Sequence, residues 1–488
     1  MASLSRSVFE STSILSISGI AVRSLAILTT PVLTALLLPA AYGVSAYVQT
    51  LASIGSVLAL MGIDMAYARF YFDAEGGQSQ KVERFCWRVA LGNAIAIACV
   101  LYAAWHLVVA KYFGVSPNLG WFLVVSVVLS VAVAMAQTRI RLQGGYRRMA
   151  IAIFVSGLCG TMTTIALAWL WRWDVWALLI GAIAGVLMNL LILGMPGVRT
   201  LSTPAHVGSA RRREMVLLGL AGAAIAPMYW LISSSDRWFL GYFRDESHVG
   251  IYSVAYSVAS LSLICNSAIT QVWFPEATKV HQRSPETAAN ELGGLWERLV
   301  VGLGVVWLAV ASMGGDLLRL LTHENYHTGA AVIPWLAGGV FFYGVASLAN
   351  TGLWIAGKMK WAAYMWILGG VLSVLLNLFS VPVAGMRGAA ASQCISYLSI
   401  ALGVGLISWR LYPLDVRWHR LGIVGLGGAL AGGVMSIPWH VNPFVSLAAK
   451  FPFVVTVSWT MAWLIAPDWY KRILQLLPMP FRGVLGGR

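Results

Sequence analysis

The sequence predicts an all-α, polytopic integral membrane protein, and three observations carry that prediction. Of 488 residues, 59% are hydrophobic and only 10% charged, with a mean hydropathy of +0.77, whereas a soluble domain carries about 25% charged residues. Apolar stretches long enough to cross a hydrocarbon core about 30 Å thick recur along the chain. Lysines and arginines alternate between crowded and sparse segments from one stretch to the next, the pattern of a chain threading a membrane. The net charge of +15 is therefore a statement about orientation, and nucleic acid is not an expected partner. The five cysteines, Cys86, Cys99, Cys159, Cys265 and Cys394, lie mostly in apolar runs with no CxxC spacing. That argues against a disulfide framework or a thiolate metal site, and no cofactor is expected.

A window of about 19 residues finds about fourteen spans. They lie near 12–38, 42–66, 86–108, 119–138, 149–170, 175–195, 215–240, 249–273, 297–318, 329–356, 361–382, 387–409, 421–439 and 443–465. The first has no small-residue cleavage site before a soluble body and is expected to remain as a helix. With the N-terminus inside, 25 of the 33 lysines and arginines fall in inward segments. Five fall in outward loops: Lys111, Arg172, Arg244, Arg319 and Arg387. Arg23, Arg237 and Lys450 lie within or at the ends of spans. This bias supports an even number of spans with both termini cytoplasmic.

An internal repeat is legible. Ala41-Tyr42-Gly43-Val44-Ser45-Ala46-Tyr47 opens the second span, and His248-Val249-Gly250-Ile251-Tyr252-Ser253-Val254 opens the eighth, at an offset of 207. Gly145-Tyr146-Arg147-Arg148-Met149-Ala150 resembles Gly357-Lys358-Met359-Lys360-Trp361-Ala362 at an offset of 212. Six spans separate the members of each pair, so the halves are expected to be parallel repeats about an axis along the membrane normal. The predicted organisation is two pseudo-symmetric six-helix lobes, 1–200 and 201–412, two further helices in 413–466, and a basic tail, 467–488, on the inner leaflet. Two such lobes facing across a cleft form a transport architecture, with the site near the midplane.

Three stretches carry a resemblance to a known family. They are Leu38-Pro39-Ala40-Ala41-Tyr42-Gly43 after the first span, Ser235-Asp236-Arg237-Trp238-Phe239-Leu240-Gly241-Tyr242-Phe243 running into Val249-Gly250-Ile251-Tyr252-Ser253-Val254-Ala255, and Asn377 to Pro382 followed by Gly385-Met386-Arg387-Gly388-Ala389-Ala390. In their order and spacing they resemble Wzx-type polysaccharide or O-antigen flippases of the multidrug/oligosaccharidyl-lipid/polysaccharide (MOP) superfamily. The resemblance implies a two-lobed carrier of the bacterial inner membrane. It implies as cargo an undecaprenyl-pyrophosphate-linked oligosaccharide, moved from the inner to the outer leaflet by alternating access. It also implies membrane lipids, a polysaccharide polymerase and a chain-length regulator as partners. It carries over no fixed set of substrate residues.

The residues themselves nominate candidates. Arg23 lies about 13 Å into the first span, counted from Ile14 at 1.5 Å per residue. An arginine at that depth costs at least about 3 kcal/mol unless it faces protein, water or a partner. A wet cavity is the expected setting, where the guanidinium would attract a pyrophosphate; the alternative is snorkelling or a backbone carbonyl near Pro31. Asp236 with Arg237, and Asp64 with Arg69, read as interfacial charge pairs at span ends or as gating pairs between lobes. Among the polar residues within spans, Asn266, Gln271 and Asn350 are the substrate-binding candidates, although each could equally bond a neighbouring helix.

His323-Glu324-Asn325-Tyr326-His327 satisfies the H-E-x-x-H zinc-protease pattern, which needs two histidines one helical turn apart. It falls in a short outward loop with no third ligand in view, so no metal site is expected. Two other functions compete with the flippase. A MATE-like multidrug exporter of organic cations needs buried carboxylates, yet all eighteen acids are expected at span ends or in loops. A membrane glycosyltransferase, polymerase or ligase needs a sizeable outward loop with catalytic acids, and every outward gap is short. The expected protein is therefore not an enzyme.

Overall fold

The computed structural model describes residues 18–19, 21–22, 24–72, 78–195, 213–217, 219, 226–435 and 442–465. Arg23 and the basic tail lie outside them. Among the described residues there is no strand. The helices are α1 (Ser24–Leu36), α2 (Pro39–Leu60), α3 (Ile63–Phe72), α4 (Gln78–Ala104, continued by a π turn at Trp105–Val109), α5 (Gly120–Leu142), α6 (Tyr146–Leu170), α7 (Val175–Leu193), α8 (Ala226–Phe243), α9 (Glu246–Ala259), α10 (Ser262–Arg283), α11 (Pro285–Leu321), α12 (Ile333–Ile355), α13 (Lys360–Leu411), α14 (Trp418–Met435) and α15 (Pro443–Ile465). Nine helices among the described residues are long and apolar enough to cross a membrane, or ten if α9 and α10 form one broken span. The fold class is as expected; the number of crossings supported in this way is smaller than fourteen. One reason is that the 52-residue α13 holds two of the expected spans.

The chain divides into two compact units, Met1–Ser253 and Val254–Arg488. In the first, Tyr67, Trp87 and Met135 are buried among Ala59, Ala66, Ala90 and Ala94. Small residues let helix backbones approach and leave aromatic rings to fill the gaps. The same logic sets α6 against α7: Gly181 and Gly185, a GxxxG pair, leave no room for a Cβ beside Gly160, Thr164 and Ser156. In the second unit, Trp273, Trp296, Leu292 and Leu348 form a core. Facing outward, Leu191, Phe379, Val383 and Leu430 are each more than two-thirds exposed. Large apolar side chains turned away from both cores suit lipid rather than water.

Local chemistry explains two boundaries. Leu38 is extended (φ −76°, ψ 153°) because it precedes Pro39, which opens α2 at its first position. Inside α13, Pro382 removes a backbone donor and Gly385 turns to φ 55°, ψ −130°, a conformation open to glycine. The Ser380 hydroxyl lies 3.1 Å from the Gly388 carbonyl, to which it donates, and 2.7 Å from the Ser392 hydroxyl. These bonds hold the break between the two expected spans.

Candidate functional site

The buried ionic cluster of the first unit sits where α8 meets α9. Asp236 is 0% exposed and Arg237 7%. Asp236 Oδ1 accepts the Arg237 backbone N–H at 2.8 Å and lies 3.5 Å from the Arg237 guanidinium. Its Oδ2 accepts the Tyr252 hydroxyl. The guanidinium donates to the Ser233 carbonyl (2.9 Å) and to the Ser253 hydroxyl (3.2 Å), and lies 5.9 Å from the centre of the Tyr252 ring. A carboxylate and a guanidinium removed from water together thus have their hydrogen bonds met on both sides. The sequence reading made this pair shallow and helix-ending. The structure corrects the second of these: α8 continues seven residues past Asp236, to Phe243, and the carboxylate is enclosed by protein. Tyr252 and Ser253, the α9 partners of Asp236 and Arg237 respectively, were not singled out as site residues, although both lie in the Gly250-Ile251-Tyr252-Ser253 stretch of the sequence motif.

Helix α8 is tied to α2 by two indoles. Trp230 Nε1 donates to the Thr50 carbonyl (2.9 Å) and the Ser53 hydroxyl (2.8 Å), and Trp238 Nε1 donates to the Thr50 hydroxyl (3.1 Å). Tyr47 packs against Trp238, ring centres 5.0 Å apart, and against Phe113 at 5.4 Å. At the start of α9, Asp245 caps the helix: its Oδ1 accepts the His248 N–H at 2.9 Å and meets the His248 ring at 2.9 Å. Burial alone would raise the Asp245 carboxyl, but the His248 amide and ring outweigh it and hold the group below the usual carboxylate range.

The two repeat motifs meet here. A Cβ built on Gly43 would overlap the Glu246 carbonyl, and one built on Gly250 would overlap the Pro39 carbonyl. Each glycine therefore packs on the carbonyl four residues before the other, and both relations keep the 207-residue offset. Gly43→Val is expected to force α2 and α9 apart. Hydrogen exchange should accelerate over 39–50 and 246–256 and stay unchanged in α6 and α7; unchanged exchange at both motifs would show the crossing to be dispensable.

The other nominated residues are not gathered at this cluster. Asp64 is half-buried and Arg69 exposed, and they form no ion pair with each other. Five residues apart on one helix, they point about 140° from one another, so the guanidinium instead lies 5.9 Å from the Phe70 ring. Asn266 is buried in α10, its amide donating to the Val340 carbonyl at 3.3 Å, which is the helix-packing alternative. Its Oδ1, like that of half-buried Asn350, is buried with no hydrogen-bond partner among the described residues. Gln271 lies in α10, with its side chain outside the described residues. The H-E-x-x-H stretch forms 3-10 turns over Glu324–Val332 rather than an α-helix, and His327 Nε2 is engaged by the Thr322 carbonyl at 3.1 Å.

The second unit also encloses acids that the sequence reading put at span ends. Glu297 and Asp316 are buried, as Asp236 is in the first. Each of the three has a basic partner: Arg417 at 2.6 Å, Lys450 at 2.7 Å and Arg237 at 3.5 Å respectively. Glu297 with Arg417 and Asp316 with Lys450 are more than a hundred residues apart and leave no local signal in the chain.

Comparison with known proteins places this geometry. Residues 32–292 match the family model described as "Polysaccharide biosynthesis protein". The chain is similar to the probable low-salt glycan biosynthesis flippase Agl15 of Haloferax volcanii, 20% identical over 51% of this chain and 54% of that one. It thus spans about half the length of the curated relative it matches. Its fold is similar to that of the lipid II flippase MurJ in an inward closed conformation, with a TM-score of 0.72 and 12% identity over 93% of this chain and 99% of that one. It is also similar to the MATE transporter VcmN of Vibrio cholerae, with a TM-score of 0.56 and 14% identity over 84% and 97%. With more than half of its residues matched, the chain belongs to the polysaccharide biosynthesis protein family, on a helical fold similar to those of MurJ and VcmN.

Proposed function

We propose that this protein is a flippase for a lipid-linked glycan, and not an enzyme. It moves an undecaprenyl-pyrophosphate-linked oligosaccharide, an O-antigen, exopolysaccharide or capsule repeat unit, from the inner to the outer leaflet of the bacterial inner membrane. The observation that carries this reading is the family match over residues 32–292, a window that contains the Asp236–Arg237 cluster and the Gly43–Gly250 crossing. The reciprocal 207-residue offset at that crossing supports two parallel six-span lobes, 1–200 and 201–412, with 413–466 appended and both termini cytoplasmic. Arg23 lines the cavity between the lobes and attracts the pyrophosphate, while Asn350 and Gln271 reach the sugar. The lipid tail stays in the bilayer. Rocking of the lobes exchanges access, and the Asp236–Arg237 cluster stands beside the helix crossing that must yield. A polymerase and a chain-length regulator take the product.

Compensation of every buried carboxylate among the described residues supports an anionic cargo over the organic cations of a multidrug exporter. The test is Arg23→Ala in a cell that depends on this protein for its surface polysaccharide. Polysaccharide is expected to fall to the level of the deletion strain while protein abundance and membrane insertion hold. Wild-type polysaccharide in that variant would remove Arg23 from the mechanism.

A further inference from the structure

Two of the five cations that the sequence assigns to outward loops, Arg319 and Arg387, converge on one cavity of about 520 Å³ in the second unit. Arg319 comes from the end of α11, and Arg387 from just past the glycine break in α13. Lys450 of α15 also lines it. Among the described residues, Asp316 is the only carboxylate lining the cavity, and it is already engaged. Its Oδ2 accepts Lys450 Nζ at 2.7 Å and the Ser446 hydroxyl at 2.8 Å, and both charged groups are 2% exposed. Arg319 stands off at 3.8 Å from Oδ1. Arg387, an exposed residue, has no carboxylate within ion-pair distance among the described residues. His327 also borders the cavity, its Nε2 engaged by the Thr322 carbonyl at 3.1 Å. Three cations against one carboxylate leave an excess of two positive charges around an open volume.

We propose that this cavity binds a phosphate-bearing anion: the headgroup of a lipid, or free phosphate or pyrophosphate. Guanidinium forks from two elements match the planar pairs of oxygens on a phosphate, which a lone ammonium does not. The local charge repels cations, and the 2%-exposed Lys450–Asp316 pair ties α15 to α11 beside the arginines. A positive-inside chain keeps cations away from its outer face, so two of five in one pocket is a concentration that orientation does not account for. On the proposed topology the cavity is reached from outside. The inference does not depend on the flippase reading, because it is read by binding and not by transport.

The experiment uses the full chain, purified in detergent and also placed in phosphatidylcholine nanodiscs with or without phosphatidylglycerol. Inorganic pyrophosphate is titrated calorimetrically against wild type, Arg387→Gln and Arg319→Gln/Arg387→Gln. The double variant is expected to bind about tenfold more weakly or worse, with Arg387→Gln intermediate. If a lipid headgroup is the occupant, phosphatidylglycerol will weaken apparent pyrophosphate binding to wild type and will co-purify less with the double variant. If a free anion is the occupant, phosphatidylglycerol will leave pyrophosphate binding unchanged. Equal pyrophosphate binding by wild type and double variant, or none by wild type with no difference in co-purified phosphatidylglycerol, overturns the proposal. Should the double variant fail to fold, the exposed Arg387→Gln carries the same comparison.

Discussion

Asp236→Ala is expected to destabilise the first unit by about 3–5 kcal/mol, the cost of leaving one member of a buried ion pair without its counter-charge. Arg237 would keep the Ser233 carbonyl and the Ser253 hydroxyl, which satisfy donors but carry no negative charge. The Tyr252 hydroxyl would also lose its acceptor. Tyr252→Phe removes one hydrogen bond and leaves the pair, so a smaller loss of about 1–3 kcal/mol is expected. Thermal unfolding of the purified protein, with proteolysis of 226–259 as a local readout, should rank them in that order. The double variant Asp236→Leu/Arg237→Leu separates structure from function. Apolar residues of similar volume restore much of the stability, because neither charge remains to be desolvated. If the pair gates transport, stability returns and surface polysaccharide does not. Recovery of both would assign the cluster to packing alone.

Arg417→Ala is expected to cost more than Glu297→Ala, although both break one ion pair. Glu297 is fully buried in α11, while the Arg417 side chain is 41% exposed. The carboxylate accepts the Arg417 backbone N–H and three guanidinium bonds, at 3.3, 3.0 and 2.6 Å. Without the guanidinium, a buried carboxylate retains only the backbone donor, at a cost of about 3–5 kcal/mol. Without the carboxylate, the arginine turns to water and the loss falls to about 1–2 kcal/mol, mainly the orphaned backbone N–H. The same linker is held by the Asp415 N–H donating to the Ala289 carbonyl at 3.2 Å and by Tyr412 meeting His281 at 3.1 Å. Arg417→Ala should therefore raise hydrogen exchange across 412–421 and lower the unfolding temperature, with Glu297→Ala weaker on both. The reverse order would mean that Glu297 reaches water by a path the structure does not contain.

The fold class was legible because a bilayer imposes one rule on every segment, and hydropathy records it residue by residue. The two glycine motifs were legible for a related reason. Gly43 and Gly250 sit where two backbones touch, so a local motif marks a tertiary contact. Gly181 and Gly185 show the limit of that argument: in a chain with 49 glycines the spacing alone could not separate a helix crossing from coincidence. Charge was half legible. Asp236 and Arg237 are adjacent and drew attention together, but their depth in the protein depends on Tyr252 and Ser253, which look like ordinary span residues. Asp316 with Lys450 and Glu297 with Arg417 join helices far apart in sequence, and nothing local to either partner announces the other. Asp64 and Arg69 err in the opposite sense, since nearness in sequence suggested a pair that the helical twist separates.

The central claim is that a cationic path through this protein carries a phosphorylated glycan lipid across the bilayer. Its most direct test is a vesicle reconstituted with the full chain and a lectin-recognised undecaprenyl-pyrophosphate oligosaccharide, loaded in one leaflet and probed with lectin on the opposite side. Wild-type vesicles should expose the glycan over time, and Arg23→Ala vesicles should match protein-free ones. Exposure at the protein-free rate with well-folded wild-type protein, or equal rates for wild type and Arg23→Ala, would contradict the account.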